Sequence, residues 1–219
     1  MNPRIKKLTT ISMLCALAYV VMVLGRIPIS TVDFLKYDPK DIIITIGGFI
    51  YGPLSALVIS LIVSFVEMLT VSGTGIIGAI MNVVSTCAFS CTASLIYKKK
   101  RTICGAIVGL VSGVLLATVV MLLWNYYLTP LYMGYPRAAV GAMLVPVFLP
   151  FNLIKGGLNM AATLIIYKPV VNALRKANLI PSLNNANGNK KAVAVGVTVM
   201  SLFLIICLVM LILLLKNII

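Results

Sequence analysis

The chain contains no histidine and only four acidic residues, Asp33, Asp38, Asp41 and Glu67. Metal-ligand sets and histidine-based acid–base catalysis have almost nothing to be built from, so neither a metal site nor an enzyme is expected. No Gly-x-x-x-x-Gly-Lys-Ser/Thr loop is present, so the chain has no phosphate cradle with which to hydrolyse ATP itself. Zinc spacing is missing among the five cysteines, Cys15, Cys87, Cys91, Cys104 and Cys207; they lie in or beside apolar segments and read as small buried residues. Charge is scarce too: 10% of the 219 residues are charged, against ~25% in a typical soluble domain. What the chain has instead is hydrophobic surface, at 61% of residues and a mean hydropathy of +1.12. That excludes an ordinary soluble enzyme and a disordered nucleic-acid-binding tail, and leaves an all-α integral membrane protein. The 18 Lys and Arg give a net charge of +14. They sit mostly between apolar segments, where they set topology and attract lipid headgroups; nucleic acid is not an expected partner.

Crossing the ~30 Å hydrocarbon core takes ~20 apolar residues. Leu8–Leu24, Ile76–Ile96, Ile103–Tyr127, Met143–Tyr167 and Val193–Leu215 each qualify. Ile42–Val71 is long enough for one tilted helix or two short ones, and Gly52-Pro53 interrupts it. Kept whole, with the N-terminus inside, it would place Lys98-Lys99-Lys100-Arg101 outside; split, it places that tetrad inside with Arg4, Lys6, Lys7, Lys168, Arg175, Lys176, Lys190 and Lys191. The positive-inside rule therefore predicts seven helices, the second unusually short, with a cytoplasmic N-terminus and an external C-terminus. Residues 1–177 form a six-helix core, 178–191 a polar cytoplasmic linker and 192–219 an additional C-terminal transmembrane helix.

In lipid, small residues let helices approach closely. Gly105, Gly109, Gly113 and Ala117 recur every four residues in the fifth helix, as do Ala56, Ser60 and Ser64 in the third. Ser12 and Ala16 share this spacing in the first helix, where they serve either internal packing or an external partner helix.

Polar side chains inside a membrane are costly and point to function. Asn152, Lys155 and Asn159 are spaced to share one helical face, and Pro150 and Gly156-Gly157 loosen the backbone beside them. Lys155 either meets a ligand, or snorkels, or pairs with Glu67. Asn125, at the outer end of the fifth helix, is a further ligand candidate, and Asn82, in the fourth, serves either as bundle glue or as a ligand group. Tyr132 and Tyr135 are placed in the following loop, where the tyrosines read first as an interfacial aromatic belt. Glu67, read as the only carboxylate within a span, could serve a proton-coupled carrier. Phe34-Leu35 in the outer loop Arg26–Asp41 suits either a lid over a site or a loop dipping into the interface. Together these signals describe a pocket with apolar and aromatic walls, a few carboxamides and one ammonium, suited to a flat ring with hydrogen-bonding edges.

The runs Phe34-Leu35-Lys36, Tyr51-Gly52-Pro53-Leu54, Asn125-Tyr126-Tyr127 with Pro130-Leu131-Tyr132, and above all Pro150-Phe151-Asn152-Leu153-Ile154-Lys155-Gly156, resemble the riboflavin-specific S components of energy-coupling factor (ECF) transporters. The likeness extends from about Thr10 to Arg175. It implies a vitamin-binding membrane subunit with a six-helix core and an outward-facing pocket closed by the first outer loop. It also implies flavin contacts from Leu35, Lys36, Asn125, Asn152 and Lys155; Asn82 and Tyr132 join them as substrate-binding candidates from the reading of the polar and aromatic residues alone. Riboflavin, or FMN or a related flavin, would be bound as transported substrate, and no cofactor is implied. The implied partners are a transmembrane coupling subunit, docked on Ser12 and Ala16 where the family carries an Ala-x-x-x-Ala-like surface, and two ATPase subunits. Two alternatives stay open: an S component for another vitamin, and a solitary proton-coupled carrier using Glu67.

Overall fold

The computed structural model describes residues 3–28, 35–71, 73, 75–134 and 136–179, and beyond them Val199, Leu202, Phe203, Ile206, Cys207, Met210 and Leu213. Among the described residues up to 179, six helical rods make up the frame. The first, α1, is Pro3–Gly25. A two-residue antiparallel ribbon follows, β1 (Ile27–Pro28) against β2 (Lys36–Tyr37). Then come α2 (Lys40–Tyr51) and α3 (Pro53–Thr70). The fourth rod, α4, runs through Gly75–Thr86, a π-helical turn at Cys87–Cys91, and Thr92–Lys99. The fifth, α5, is Ile103–Met133. The last, α6, joins Arg137–Met143, a π-helical turn at Leu144–Phe148, and Leu149–Lys176. Among the described residues five rods are long and apolar enough to cross a membrane: α1, α3, α4, α5 and α6.

The expected break at Gly52-Pro53 is present. Gly52 has φ 96°, a left-handed value that glycine adopts without steric cost, and Pro53 opens α3, where its missing N–H has no partner to lose. With 12 residues, α2 is short; at a rise of 1.5 Å per residue it covers ~18 Å. It is buried on all sides from Lys40 to Phe49 and packs against α1, α3, α4 and α6. A helix apolar all round belongs in the middle of a bundle.

The small-residue stripes act as internal packing. A Cβ on Gly109 would stand 2.7 Å from the Ala93 carbonyl oxygen, and one on Gly113 would stand 2.6 Å from that of Phe89. These glycines bring α5 against the backbone of α4. Ala56, Ser60 and Ser64 are buried on the inner face of α3.

Several boundaries differ from expectation: α2 begins at Lys40, before Ile42, and α6 begins at Arg137, before Met143. Tyr132 lies within the last turn of α5 and not in a loop. The helix continues through Pro130 and stops at Gly134, whose φ of 69° supplies the left-handed terminating residue. The side chain of Tyr132, the whole of Tyr135 and the loop residues 29–34, including Asp33 and Phe34, lie outside the described residues. So do most of the linker 178–191 and most of the expected seventh helix. The described residues of that last segment are helical, and Phe203 and Cys207 lie where a Cβ on Gly157 of α6 would meet them at 2.7 and 2.9 Å. An apolar cavity of about 550 Å³ opens between α5, α6 and this segment, and none of the expected substrate-binding side chains lines it.

Candidate functional site

The site is built around the first turn of α2. Pairing Ile27 with Tyr37 in the ribbon brings Arg26 and Asp38 face to face just beyond it, and Arg26 Nε donates to Asp38 Oδ1 at 2.8 Å. Arg26 also reaches Glu67 on α3, and Lys40, the first residue of α2, pairs with the other oxygen of Glu67. A weaker contact of 3.8 Å joins Lys40 to Asp38. Lys40, Asp38 and Glu67 are all buried.

Asp41, one residue along, anchors a second group. Its Oδ1 accepts from Thr86 Oγ1 of α4 at 2.6 Å. Its Oδ2 accepts from Asn159 Nδ2 of α6 at 3.2 Å and lies 3.9 Å from Lys155 Nζ. As an acid in the first turn of a helix, Asp41 also faces the positive end of the helix dipole. Arg26, Lys40 and Lys155 are thus balanced by Asp38, Glu67 and Asp41. Low-dielectric surroundings demand that pairing, since a lone buried charge costs several kcal/mol.

Three groups lie outside the membrane-spanning helices and have shifted acidities. Burial would raise the Asp38 carboxyl, but the charges of Lys40 and Lys155 and the bonded Arg26 outweigh it and hold the group below its ordinary range. Burial also opposes the Arg26 charge, yet the hydrogen bond and charge of Asp38, together with Glu67, raise it above its usual value. Tyr37 is pushed upward, chiefly by burial and then by the charges of Asp41 and Asp38.

Several readings from sequence change here. Lys155 neither snorkels nor pairs with Glu67; its partner is Asp41. Glu67 is not the only carboxylate within a helix of the bundle, because Asp41 belongs to α2 and not to the outer loop. Nor is Lys40 a loop cation, since its side chain is 1% exposed. Asn152, Lys155 and Asn159 do share one face of α6, with Asn152 and Asn159 buried. Asn152 donates to the Phe148 carbonyl at 2.7 Å, inside the π-helical turn that precedes it. Leu35 is buried against Val140, Phe148 and Phe151, so the end of the outer loop is seated on α6 next to Asn152. Asn125 is buried but turned into its own helix, donating to Met121 O and accepting from Thr129 Oγ1. Asn82 is half-buried, and Lys36 is exposed on β2. Ser12 and Ala16 are both exposed on α1.

Arg26, Asp38, Lys40, Asp41 and Thr86 were not singled out as site residues from the sequence. A signal existed: in so acid-poor a chain, an aspartate directly before Ile42-Ile43-Ile44 must find donors elsewhere in the bundle.

The fold and site define a class: a multi-pass membrane protein whose buried polar residues gather where a broken pair of helices meets a proline-loosened one. Comparison with known proteins names the class. A family model described as "ECF transporter, substrate-specific component" matches residues 6–167. The chain is 30% identical over 178 residues to the riboflavin transporter RibU of Staphylococcus aureus, covering 78% of this chain and 93% of that protein. It is 29% identical over 188 residues to the riboflavin transporter FmnP of Bacillus subtilis, covering 80% of this chain and 99% of that one. The solved structure of the S component of a bacterial ECF transporter superimposes with a TM-score of 0.68 at 30% identity, over 78% of this chain and 98% of its own. The chain belongs to the substrate-specific components of ECF transporters.

Proposed function

We propose that this chain is the membrane subunit that captures riboflavin and delivers it to an ATP-driven ECF transporter. Support comes from relatives matched over nearly their whole length, both riboflavin transporters, and from the polar face of α6 that carries buried Asn152 and Asn159 with half-buried Lys155 between them. The observation that carries the site is Lys155 itself. It is held inside the bundle by Asp41 and has Asn152 and Asn159 as neighbours on its face. Leu35, seated on Phe148 and Phe151, would close the flavin ring against α6, while Asn152 and Lys155 would meet its polar edge. Lys36, Asn125, Asn82 and Tyr132 are secondary contacts in this reading. Asn125 would have to exchange its bonds within α5 to take part.

Riboflavin is cargo here, no cofactor is needed, and the chain carries out no reaction of its own. The coupling subunit docks on the exposed Ser12 and Ala16 of α1, and two ATPase subunits supply the work. The basic clusters favour a cytoplasmic N-terminus, and 192–219 forms an additional helix ending outside. Glu67 is engaged by both Arg26 and Lys40 and ties the outer loop to the bundle, a structural role that disfavours the proton-coupled alternative. Absorption spectroscopy of the purified protein tests the proposal. A flavin spectrum, or stoichiometric uptake of added riboflavin with quenched fluorescence, supports it; a colourless protein that leaves riboflavin fluorescence untouched refutes it.

A further inference from the structure

Asn159 is 1% exposed, and its two polar atoms are treated unequally. The amide nitrogen donates to Asp41 Oδ2, whereas the carbonyl oxygen is buried and has no hydrogen-bond partner. A carboxylate can only accept, so it dictates which end of the carboxamide faces it. Asp41 in turn is fixed by Thr86 on its other oxygen. The carbonyl of Asn159 is therefore locked as an acceptor pointing away from Asp41 and cannot exchange roles with the amide. An orphaned buried acceptor is costly and rare in a folded protein, and it calls for a donor. This one sits one helical turn from Lys155, on the face that also carries Asn152.

We infer that Asn159 is a further substrate-contacting residue whose carbonyl accepts an N–H or O–H of the bound molecule, and that Asp41 is the positioning residue that fixes this polarity. The inference rests on the riboflavin reading above. Riboflavin offers two kinds of donor, the ring imide N–H and the side-chain hydroxyls. An acceptor of fixed polarity rewards a ligand donor and penalises an analogue that presents an acceptor or a methyl group there. The site thus discriminates by hydrogen-bond polarity at one position, apart from any charge carried by Lys155.

The test crosses protein variants with ligand analogues. Wild type, Asn159→Leu and Asp41→Asn are titrated with riboflavin, with riboflavin methylated at the imide nitrogen, and with lumiflavin, which lacks the hydroxylated side chain. Apo thermal stability is recorded for each protein. Asn159→Leu is expected to weaken riboflavin binding at least about tenfold, while binding of the one analogue that lacks the matched donor is unchanged by the substitution. Asp41→Asn frees the carboxamide to turn over, so it should narrow the gap between riboflavin and that analogue, a change in selectivity that a merely structural role would not produce. Should Asn159→Leu fail to fold, the selectivity of Asp41→Asn decides the matter. Equal losses for all three flavins, or wild-type selectivity in Asp41→Asn, overturn the inference. Failure of wild type to bind riboflavin overturns the functional reading instead, so the two failures are distinct.

Discussion

Lys40 and Glu67 form an ion pair in which each side chain is 1% exposed. The pair fastens the start of α2 to α3, and Arg26 joins from the ribbon, so one carboxylate ties the outer loop to the bundle. Removing one member of such a pair strands charge. Glu67→Gln is therefore expected to destabilise the protein by ~3–5 kcal/mol, read as a large drop in melting temperature. The double variant Lys40→Met/Glu67→Met should recover part of the loss, because it removes both charges of the pair. A Glu67→Gln protein as stable as wild type would show that the buried network holds nothing together.

Asp38 supplies a pH dependence. Its carboxyl titrates below the ordinary range in the fold, whereas an unfolded aspartate titrates near ~3.9. Between those values the unfolded chain takes up a proton that the folded chain does not. Stability from Asp38 is thus complete above the unfolded value and is lost as pH falls through the folded one. Tyr37 works at the other end: its raised value means stability is lost as pH climbs above the ordinary tyrosine range. Thermal unfolding from pH 3 to 8 should show a fall at the acid end that is shallower in Asp38→Asn. Parallel profiles for the two proteins would contradict the assignment.

Gly109 faces the Ala93 carbonyl so closely that no Cβ fits. Gly109→Ala should destabilise by ~1–3 kcal/mol through forced separation of α4 and α5. The control is Gly52, where nothing stands within 4 Å and any penalty comes from its positive φ alone. Unchanged stability in Gly109→Ala would mean that the stripe is not a packing seam.

Ser12 and Ala16 are exposed on α1 and make no part of the polar cluster. Leucine at both positions should leave riboflavin binding at wild-type strength and abolish co-purification with the coupling subunit. Retained co-purification would move the docking face elsewhere.

Much of this architecture is legible in local chemistry. The α2–α3 break follows from Gly52-Pro53, and the close approach of α4 and α5 follows from glycines spaced by four. The end of α5 lies beyond the expected Tyr127, because the apolar run gives out before the helix does and the actual stop is a left-handed Gly134. The polar face of α6 could be read from Asn152, Lys155 and Asn159, since helical spacing alone aligns them. Their partner could not: Asp41 lies 118 positions from Asn159 and 45 from Thr86, and only the packed bundle brings these together. The same holds for Lys40 and Glu67, 27 positions apart. Periodicity identifies faces, but it carries no information about which faces meet.

Under the proposed function, half-buried Lys155 and buried Asn152 are there to receive a flavin. Titrating riboflavin into purified wild type, Asn152→Ala and Lys155→Ala, with fluorescence quenching as the readout, tests it most directly. One saturable site in wild type, weakened by at least ~1–3 kcal/mol in each variant, is the predicted result. Identical titration curves for all three proteins, or no quenching by wild type, would contradict it.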